Sequence, residues 1–256
     1  MSPFLLLMWV VGVTSFTLLG SLYARRYERP GMLIGLYVAF VLTAQMLATK
    51  IAYFDFGALS FSGPAGILVF SVTFLLLDIV NEKFGRAVTQ RMIFTAFAAQ
   101  VASTFFLWLG TQFDPDSTWA STRNAHEWNQ VFGAVPRITL ASWIAFLVSE
   151  NIDAYIFDRF RRATGERHLW LRNVVSTIPA LLIDSLLFIP IAFAGTGLPL
   201  LAMIKGQVAM KWIVGIVNIP FMYLNHAILF SGRGTPDRHI LPWKTVPKFE
   251  QGDRED

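Results

Sequence analysis

Apolar residues run along most of this chain in continuous stretches that are separated by short polar segments. Seven stretches are long enough for a bilayer-spanning helix, which needs about 20 mostly apolar residues. The predicted spans are residues 3–22, 32–53, 64–82, 92–110, 136–157, 174–194 and 200–230. Because the runs lack the alternation of a barrel strand, they predict helices rather than strands. The predicted fold class is therefore all-α, a polytopic membrane helix bundle.

Composition strengthens this prediction. Only 15% of the residues are charged and 54% are hydrophobic, whereas a soluble domain carries about a quarter charged residues. The deficit extends along the whole chain, which excludes a soluble domain with a single anchor. The longest polar segment, about residues 111–135, is predicted to be a loop. Cysteine is absent, which excludes disulfides, thiolate metal sites and cysteine nucleophiles.

Basic residues predict how the chain is oriented in the membrane. They cluster after the first, third and fifth spans and in the C-terminal tail, whereas the alternate connections hold only Arg123. Since Lys and Arg are retained on the cytoplasmic side, the clustered connections and the C-terminus should be cytoplasmic. With seven spans, the N-terminus lies outside the inner (plasma) membrane. The tail, residues 231–256, is predicted to be cytoplasmic and mostly disordered.

Two opposite charges lie deep in the predicted spans. Asp184 in the sixth span and Lys211 in the seventh are each about 15 Å from the end of their helix. A charge at this depth is costly, which makes it a functional hypothesis by default. The alternatives are a structural salt bridge between the two residues, or groups that face a polar cavity and bind substrate.

Pairs of acids mark two other helices. Asp78 and Glu82 are four residues apart and share one helix face, and Glu150 and Asp153 repeat the device in the fifth span. These acids either bind substrate or lie at the interface and balance nearby arginines.

Uncharged polar residues and one arginine complete the candidate set. Gln45 and Asn218 lie deep in the second and seventh spans, where an amide either binds substrate or joins helices by hydrogen bonds. Pro190 and Pro220 predict kinks of the kind that often border cavities. Arg137 opens the fifth span at the outer boundary, where it either snorkels to the interface or guards an entrance.

Most catalytic signatures are missing. The sequence has no P-loop, no HExxH motif and no serine nucleophile elbow, and its four histidines are scattered. We therefore expect no catalytic residues, no metal site and no cofactor, and a protein that is not an enzyme. An intramembrane enzyme stays an alternative, because paired acids such as Asp78 and Glu82 also occur where Mg²⁺ holds a diphosphate.

Several separated blocks resemble the queuosine precursor transporter family, also called the vitamin uptake transporter family. The blocks are Leu77–Arg86, Pro136–Phe146, Ile152–Phe157, Leu169–Asn173 with Ser176, Thr177 and Ile183–Ser185, and Lys211 with Pro220. Their order and spacing agree with the family from about residue 33 to 230. The chain departs from the family pattern at Glu150 and Asn151, where an uncharged pair is expected.

The resemblance implies a fold and a substrate. The family core has six spans, which assigns residues 32–230 to a six-helix transporter core and residues 1–31 to an extra N-terminal transmembrane helix with its basic loop. The implied function is import of 7-cyano-7-deazaguanine or its aminomethyl relative for queuosine in tRNA. The residues expected to bind it, from the depth and chemistry described above, are Asp184, Lys211, Glu82, Asp78, Gln45, Asp153, Asn218 and Arg137.

The expected partners are this small molecule and the lipid bilayer. Nucleic acid is not expected, because the basic residues that give the net charge of +4 lie between the apolar segments. A homodimer and a separate ATPase module stay open. The second would make the chain a substrate-binding membrane subunit for another vitamin-like molecule. Coupling to a proton gradient also stays open.

Overall fold

Long helices and one β-hairpin make up the computed structural model, which describes residues 3–55, 60–120, 124–164 and 169–230. Within these ranges, all seven predicted spans are helical over most of their length. The elements are α1 (Pro3–Tyr27), α2 (Gly31–Leu47), β1 (Ile51–Asp55), β2 (Ser60–Pro64), α3 (Ile67–Phe84), α4 (Arg86–Gln112), α5 (Ser117–Ala120), α6 (Asn124–Thr164), α7 (Leu169–Phe193) and α8 (Leu200–Phe230).

The outer surface of the bundle is apolar, as a lipid-facing surface must be. Large hydrophobic side chains such as Phe4, Phe94, Phe106 and Leu147 are 60% or more exposed. In the described part of the chain, three helices are long and apolar enough to span a bilayer, and shorter apolar helices accompany them. The prediction of an all-α polytopic membrane protein is confirmed.

The second predicted span was too long. Helix α2 ends at Leu47, and residues 51–53 belong to strand β1. The chain turns at Thr49 and Lys50, whose amides donate to Met46 O (3.3 Å) and Leu47 O (3.1 Å). The β-branched and aromatic residues that follow favour a strand, and β1 pairs antiparallel with β2 from Ile51 opposite Pro64 to Asp55 opposite Ser60.

The polar segment before Pro136 is largely helical, not a loop as predicted. Asp116 caps the short helix α5, because its Oδ1 accepts the amides of Thr118 (2.9 Å) and Trp119 (3.2 Å). Helix α6 then begins at Asn124 and continues through Pro136 for 41 residues. At about 1.5 Å per residue it is roughly 60 Å long, about twice the hydrocarbon thickness of a bilayer. Its polar ends therefore extend beyond the lipid.

Helix α3 is the most enclosed element. It packs against α2, α4 and α8, and Leu75, Leu76, Ile79 and Val80 are buried at the centre of the largest apolar cluster. Gly85 alone connects α3 to α4 with a φ of 78°, a left-handed conformation that favours glycine. Glycine at position 85 therefore permits the sharp turn between α3 and α4.

Helix α1 is joined to the bundle by polar contacts as well as apolar ones. Trp9 Nε1 donates to Leu68 O (3.1 Å), and Ser21 Oγ donates to Asn225 Oδ1 of α8 (2.7 Å). The division into an extra helix (1–31) and a core (32–230) stays a prediction. The tail predicted to be disordered, residues 231–256, lies outside the described residues.

The hairpin packs closely against α8 at Gly206. A Cβ atom at Gly206 would lie 2.2 Å from the carbonyl oxygen of Ser62 in β2. A similar close approach occurs at Gly66, where a Cβ atom would lie 2.1 Å from Ala44 O of α2. These two glycines bring the hairpin and the start of α3 against the neighbouring helices.

We predict that Gly206→Ala lowers the stability of the protein by about 1–3 kcal/mol, because the new methyl group overlaps a backbone carbonyl that cannot move alone. Thermal unfolding in detergent measures the effect. The matched control is Gly35→Ala on α2, where a Cβ atom meets nothing within 4 Å and alanine is the better helix former. Equal unfolding temperatures for the two variants would contradict the close packing of the hairpin.

Candidate binding cavity

A cavity of about 60 Å³ opens between the helices of the bundle, beside the hairpin. Helices α2, α3, α6, α7 and α8 and the end of β2 contribute to its lining. The polar lining residues are Gln45, Ser142, Asp184, Gln207 and Lys211, and the apolar ones include Ala48, Ile67, Phe70, Ile138, Phe146 and Phe188. Mostly apolar walls with a few polar groups are typical of small-molecule sites.

Asp184 and Lys211 form an ion pair in the wall of this cavity. The Lys211 ammonium donates to Asp184 Oδ2. Their side chains are 5% exposed for the lysine and 17% exposed for the aspartate, and both line the opening. The salt bridge, one of the two alternatives from the sequence, is therefore present, and both residues line the cavity, whereas their role in binding substrate stays a prediction.

Helical spacing explains why the lining residues meet. Asp184 and Phe188 are four residues apart on α7, and Gln207 and Lys211 are four apart on α8, so each pair shares a helix face. The connection between α7 and α8 is short, and the helices pack against each other. Their two inward faces therefore supply most of the polar lining.

Gln45 joins helices as well as lining the cavity. Its Nε2 donates to Gln100 Oε1 on α4, and its Oε1 accepts the hydroxyl of Thr139 on α6 (3.2 Å). Trp143 Nε1 also donates to Gln100 Oε1 (2.9 Å). Both ends of the Gln45 amide are thus engaged in a network that connects α2, α4 and α6.

Two other predicted site residues lie away from this cavity. Asp78 is exposed on α3, about 12 Å along the helix from Phe70. Arg137 is exposed and donates to Ile191 O and Ala194 O, both at 2.7 Å. Since carbonyls at a helix C-terminus lack partners within the helix, Arg137 stabilises the end of α7.

The remaining predicted residues are Glu82, Asp153 and Asn218. Their backbones lie in α3, α6 and α8, but their side chains fall outside the described residues, as does that of Glu150. Their assignment to substrate binding stays a prediction.

Comparison with known proteins decides the family. The model of the family described as "Putative vitamin uptake transporter" matches residues 64–225, which include most of the residues that line the cavity. The chain belongs to the vitamin uptake transporter family. The family expected from the sequence blocks is thereby confirmed.

Two curated relatives carry related names. This chain is 26% identical over 219 residues to the "Probable queuosine precursor transporter" of Bacillus subtilis (strain 168), covering 84% of this chain and 92% of the relative. It is 28% identical over 142 residues to the "Queuosine precursor transporter" of Escherichia coli (strain K12), covering 53% of this chain and 57% of the relative. No solved structure matches the chain.

Several residues that line the cavity carry little or no signal in the sequence. Gln207 was not singled out, although it is one helical turn from Lys211 and that spacing was available as a signal. Phe70, Phe146 and Phe188 gave no such signal, because a chain with 23 phenylalanines offers many apolar positions of the same appearance. Only the packing of the helices shows which of them face inward.

We predict that Lys211→Met destabilises the protein by roughly 3–5 kcal/mol, because it leaves the Asp184 carboxylate buried without a partner. The double variant Asp184→Asn with Lys211→Met should recover much of the loss, since neither charge remains. Thermal unfolding in detergent measures both. Lys205→Met, an exposed lysine on the same helix, is the matched control and should be neutral. A double variant less stable than Lys211→Met would contradict a coupled pair.

Proposed function

We propose that this chain is an inner-membrane transporter that imports queuosine precursors, 7-cyano-7-deazaguanine or 7-aminomethyl-7-deazaguanine, for queuosine modification of tRNA. The observation that carries the proposal is the Asp184–Lys211 pair, which is mostly buried and lies in the wall of a mostly apolar cavity. The family membership and the names of the two relatives support it.

The chemistry of the pair suits a guanine-like edge. A carboxylate accepts two hydrogen bonds at once, as the ring N–H and the exocyclic amine of such an edge require, and an ammonium donates to the neighbouring carbonyl oxygen. Hydrogen bonds to charged groups are roughly twice as strong as neutral ones, and more so away from water. Asp184 and Lys211 together therefore supply both kinds of partner.

Apolar walls suit the faces of the heterocycle. Phe70, Phe146 and Phe188 line the same cavity from three different helices. An aromatic ring stacks on a base face with little regard to substituents, and each stacked base gains roughly 1–3 kcal/mol. The cavity thus combines orienting charges with walls that accept a flat ring.

The ion pair explains how the bundle tolerates these charges. Without substrate, each charge partners the other and the desolvation penalty is partly offset. A substrate that offers donors to Asp184 and an acceptor to Lys211 replaces one set of charge-assisted bonds with another. Binding then requires the pair to separate, but leaves neither charge without a partner.

We predict that Asp184→Asn and Lys211→Met each weaken binding of 7-cyano-7-deazaguanine at least about tenfold, through loss of a charge-assisted hydrogen bond. Calorimetry on protein in lipid nanodiscs measures the affinity. Asp114→Asn and Lys205→Met, both exposed and away from the cavity, are the controls. The double variant separates lost binding from lost folding. Wild-type affinity in the folded double variant would refute this role.

Transport itself is tested in a host that lacks its own importer. Expression of the chain should restore queuosine-modified tRNA when the precursor is supplied in the medium, and the double variant should not. A protonophore that abolishes uptake would favour proton coupling. Dependence on co-expressed ATPase subunits would favour the alternative of a substrate-binding subunit.

We further propose that the connection holding Asp114 faces outward and that the connection holding Arg29 is cytoplasmic. Because the chain has no cysteine, Asp114→Cys and Arg29→Cys each introduce a unique thiol. A membrane-impermeant maleimide on intact spheroplasts should label Asp114→Cys, and should label Arg29→Cys only after permeabilisation. The opposite pattern would reverse the proposed orientation.

A further inference from the structure

Gln207 stands out for a hydrogen-bonding capacity that the protein does not use. The residue is 5% exposed, and among the described residues its Oε1 is the one buried side-chain oxygen or nitrogen without a hydrogen-bond partner. Gln207 also lines the cavity that holds the Asp184–Lys211 pair. Buried polar atoms are nearly always satisfied, so this side chain beside a cavity has an acceptor that the donor of a ligand can use.

The surroundings of Gln207 explain why its oxygen stays free. Pro64 at the end of β2 lines the same cavity, and proline has no N–H to donate. The amide of Gln45 is already engaged with Gln100 and Thr139. The Lys211 ammonium is directed to Asp184. None of these three groups therefore donates to Gln207 Oε1 in this structure.

The position of Gln207 sets where on a ligand it can act. It lies one helical turn from Lys211, about 6 Å along α8 toward the hairpin. When the six-membered ring of a guanine-like base binds Asp184 and Lys211 through its edge, the five-membered ring lies about as far from Lys211 as Gln207 does. That five-membered ring carries a ring N–H in the free base. The same nitrogen bears the sugar in a nucleoside and has no hydrogen to donate.

We propose that Gln207 is a specificity-determining residue whose side-chain carbonyl accepts the five-membered-ring N–H of the substrate, so that the transporter selects free bases over N-glycosylated ones. This inference rests on the proposed function and deepens it. A site built to hydrogen-bond one N–H rejects the analogue that lacks it, because the buried acceptor is then left without a partner.

The test compares two ligands with two forms of the protein. The ligands are 7-cyano-7-deazaguanine and its derivative methylated on the five-membered-ring nitrogen, and the proteins are wild type and Gln207→Met. Wild type should bind the free base at least about tenfold more tightly than the methylated one, equivalent to about 1.4 kcal/mol. Gln207→Met should bind the free base about tenfold more weakly and should lose most of that discrimination. Gln112→Met, an exposed glutamine on α4, should behave as wild type.

A second readout does not depend on ligand. Methionine removes the unsatisfied acceptor and has a similar length, so ligand-free Gln207→Met should unfold at the same temperature as wild type or higher. If the variant does not fold, the preference of wild type between the two ligands still tests the inference.

The outcomes separate this inference from the function on which it rests. If wild type binds neither ligand, the proposed function is wrong. If wild type binds both equally well, or if Gln207→Met keeps full affinity and discrimination, the role of Gln207 is overturned while the proposed function stands. Gln207→Met and methylation of the ligand should remove the same hydrogen bond, which can be lost only once. If the affinity lost with both changes together equals the sum of the two separate losses, the role of Gln207 is therefore also overturned.

Discussion

The contact between Asp184 and Lys211 is the constraint on which the rest of the structure depends. Two charges in the apolar interior of a membrane protein are tolerated only when each has a partner. Here they come from adjacent helices, α7 and α8, which are joined by a short connection and pack side by side. The pair therefore fixes the two helices in register and at the same time places polar groups in a cavity wall.

Polar groups inside this bundle divide into two kinds by how fully they are used. Gln45 donates to Gln100 and accepts from Thr139, and Gln100 also accepts from Trp143. These hydrogen bonds connect three helices. Gln207 has an acceptor without a partner, and we propose that the ion pair exchanges partners when substrate binds. The hydrogen-bond network of Gln45 and Gln100 suits a rigid frame. The unpartnered acceptor of Gln207 and the ion pair beside the cavity suit binding.

The sequence predicts the helices well because continuous apolar runs have one outcome in lipid. The sequence predicts the ends of the helices poorly where local hydrogen bonds and caps determine them. Thr49 and Lys50 turn the chain out of α2 before its apolar pattern ends. Asp116 and the residues after it build helix from polar sequence beyond the bilayer, where hydropathy carries no signal.

The residues of the candidate site also divide into those that the sequence reveals and those that only the folded structure reveals. Asp184 and Lys211 could be found from depth alone, because a charge in lipid is rare. Arg137 is a candidate because it lies at the outer boundary, yet its contacts with Ile191 O and Ala194 O depend on where α7 ends, which no pattern in α6 reveals. The spacing from Lys211 offers a signal for Gln207 in the sequence, but its unpartnered oxygen is a property of the folded packing.

The central claim is that the Asp184–Lys211 pair faces a water-accessible cavity that the substrate enters. Ser142 lines that cavity, whereas Leu140 on the same helix is 52% exposed on the outer surface. In this cysteine-free chain, the reaction rates of Ser142→Cys and Leu140→Cys with a charged methanethiosulfonate test the claim directly. We expect Ser142→Cys to react and 7-cyano-7-deazaguanine to slow it, while Leu140→Cys stays inert. A Ser142→Cys thiol that is unreactive, or that reacts at the same rate with and without ligand, would contradict the account.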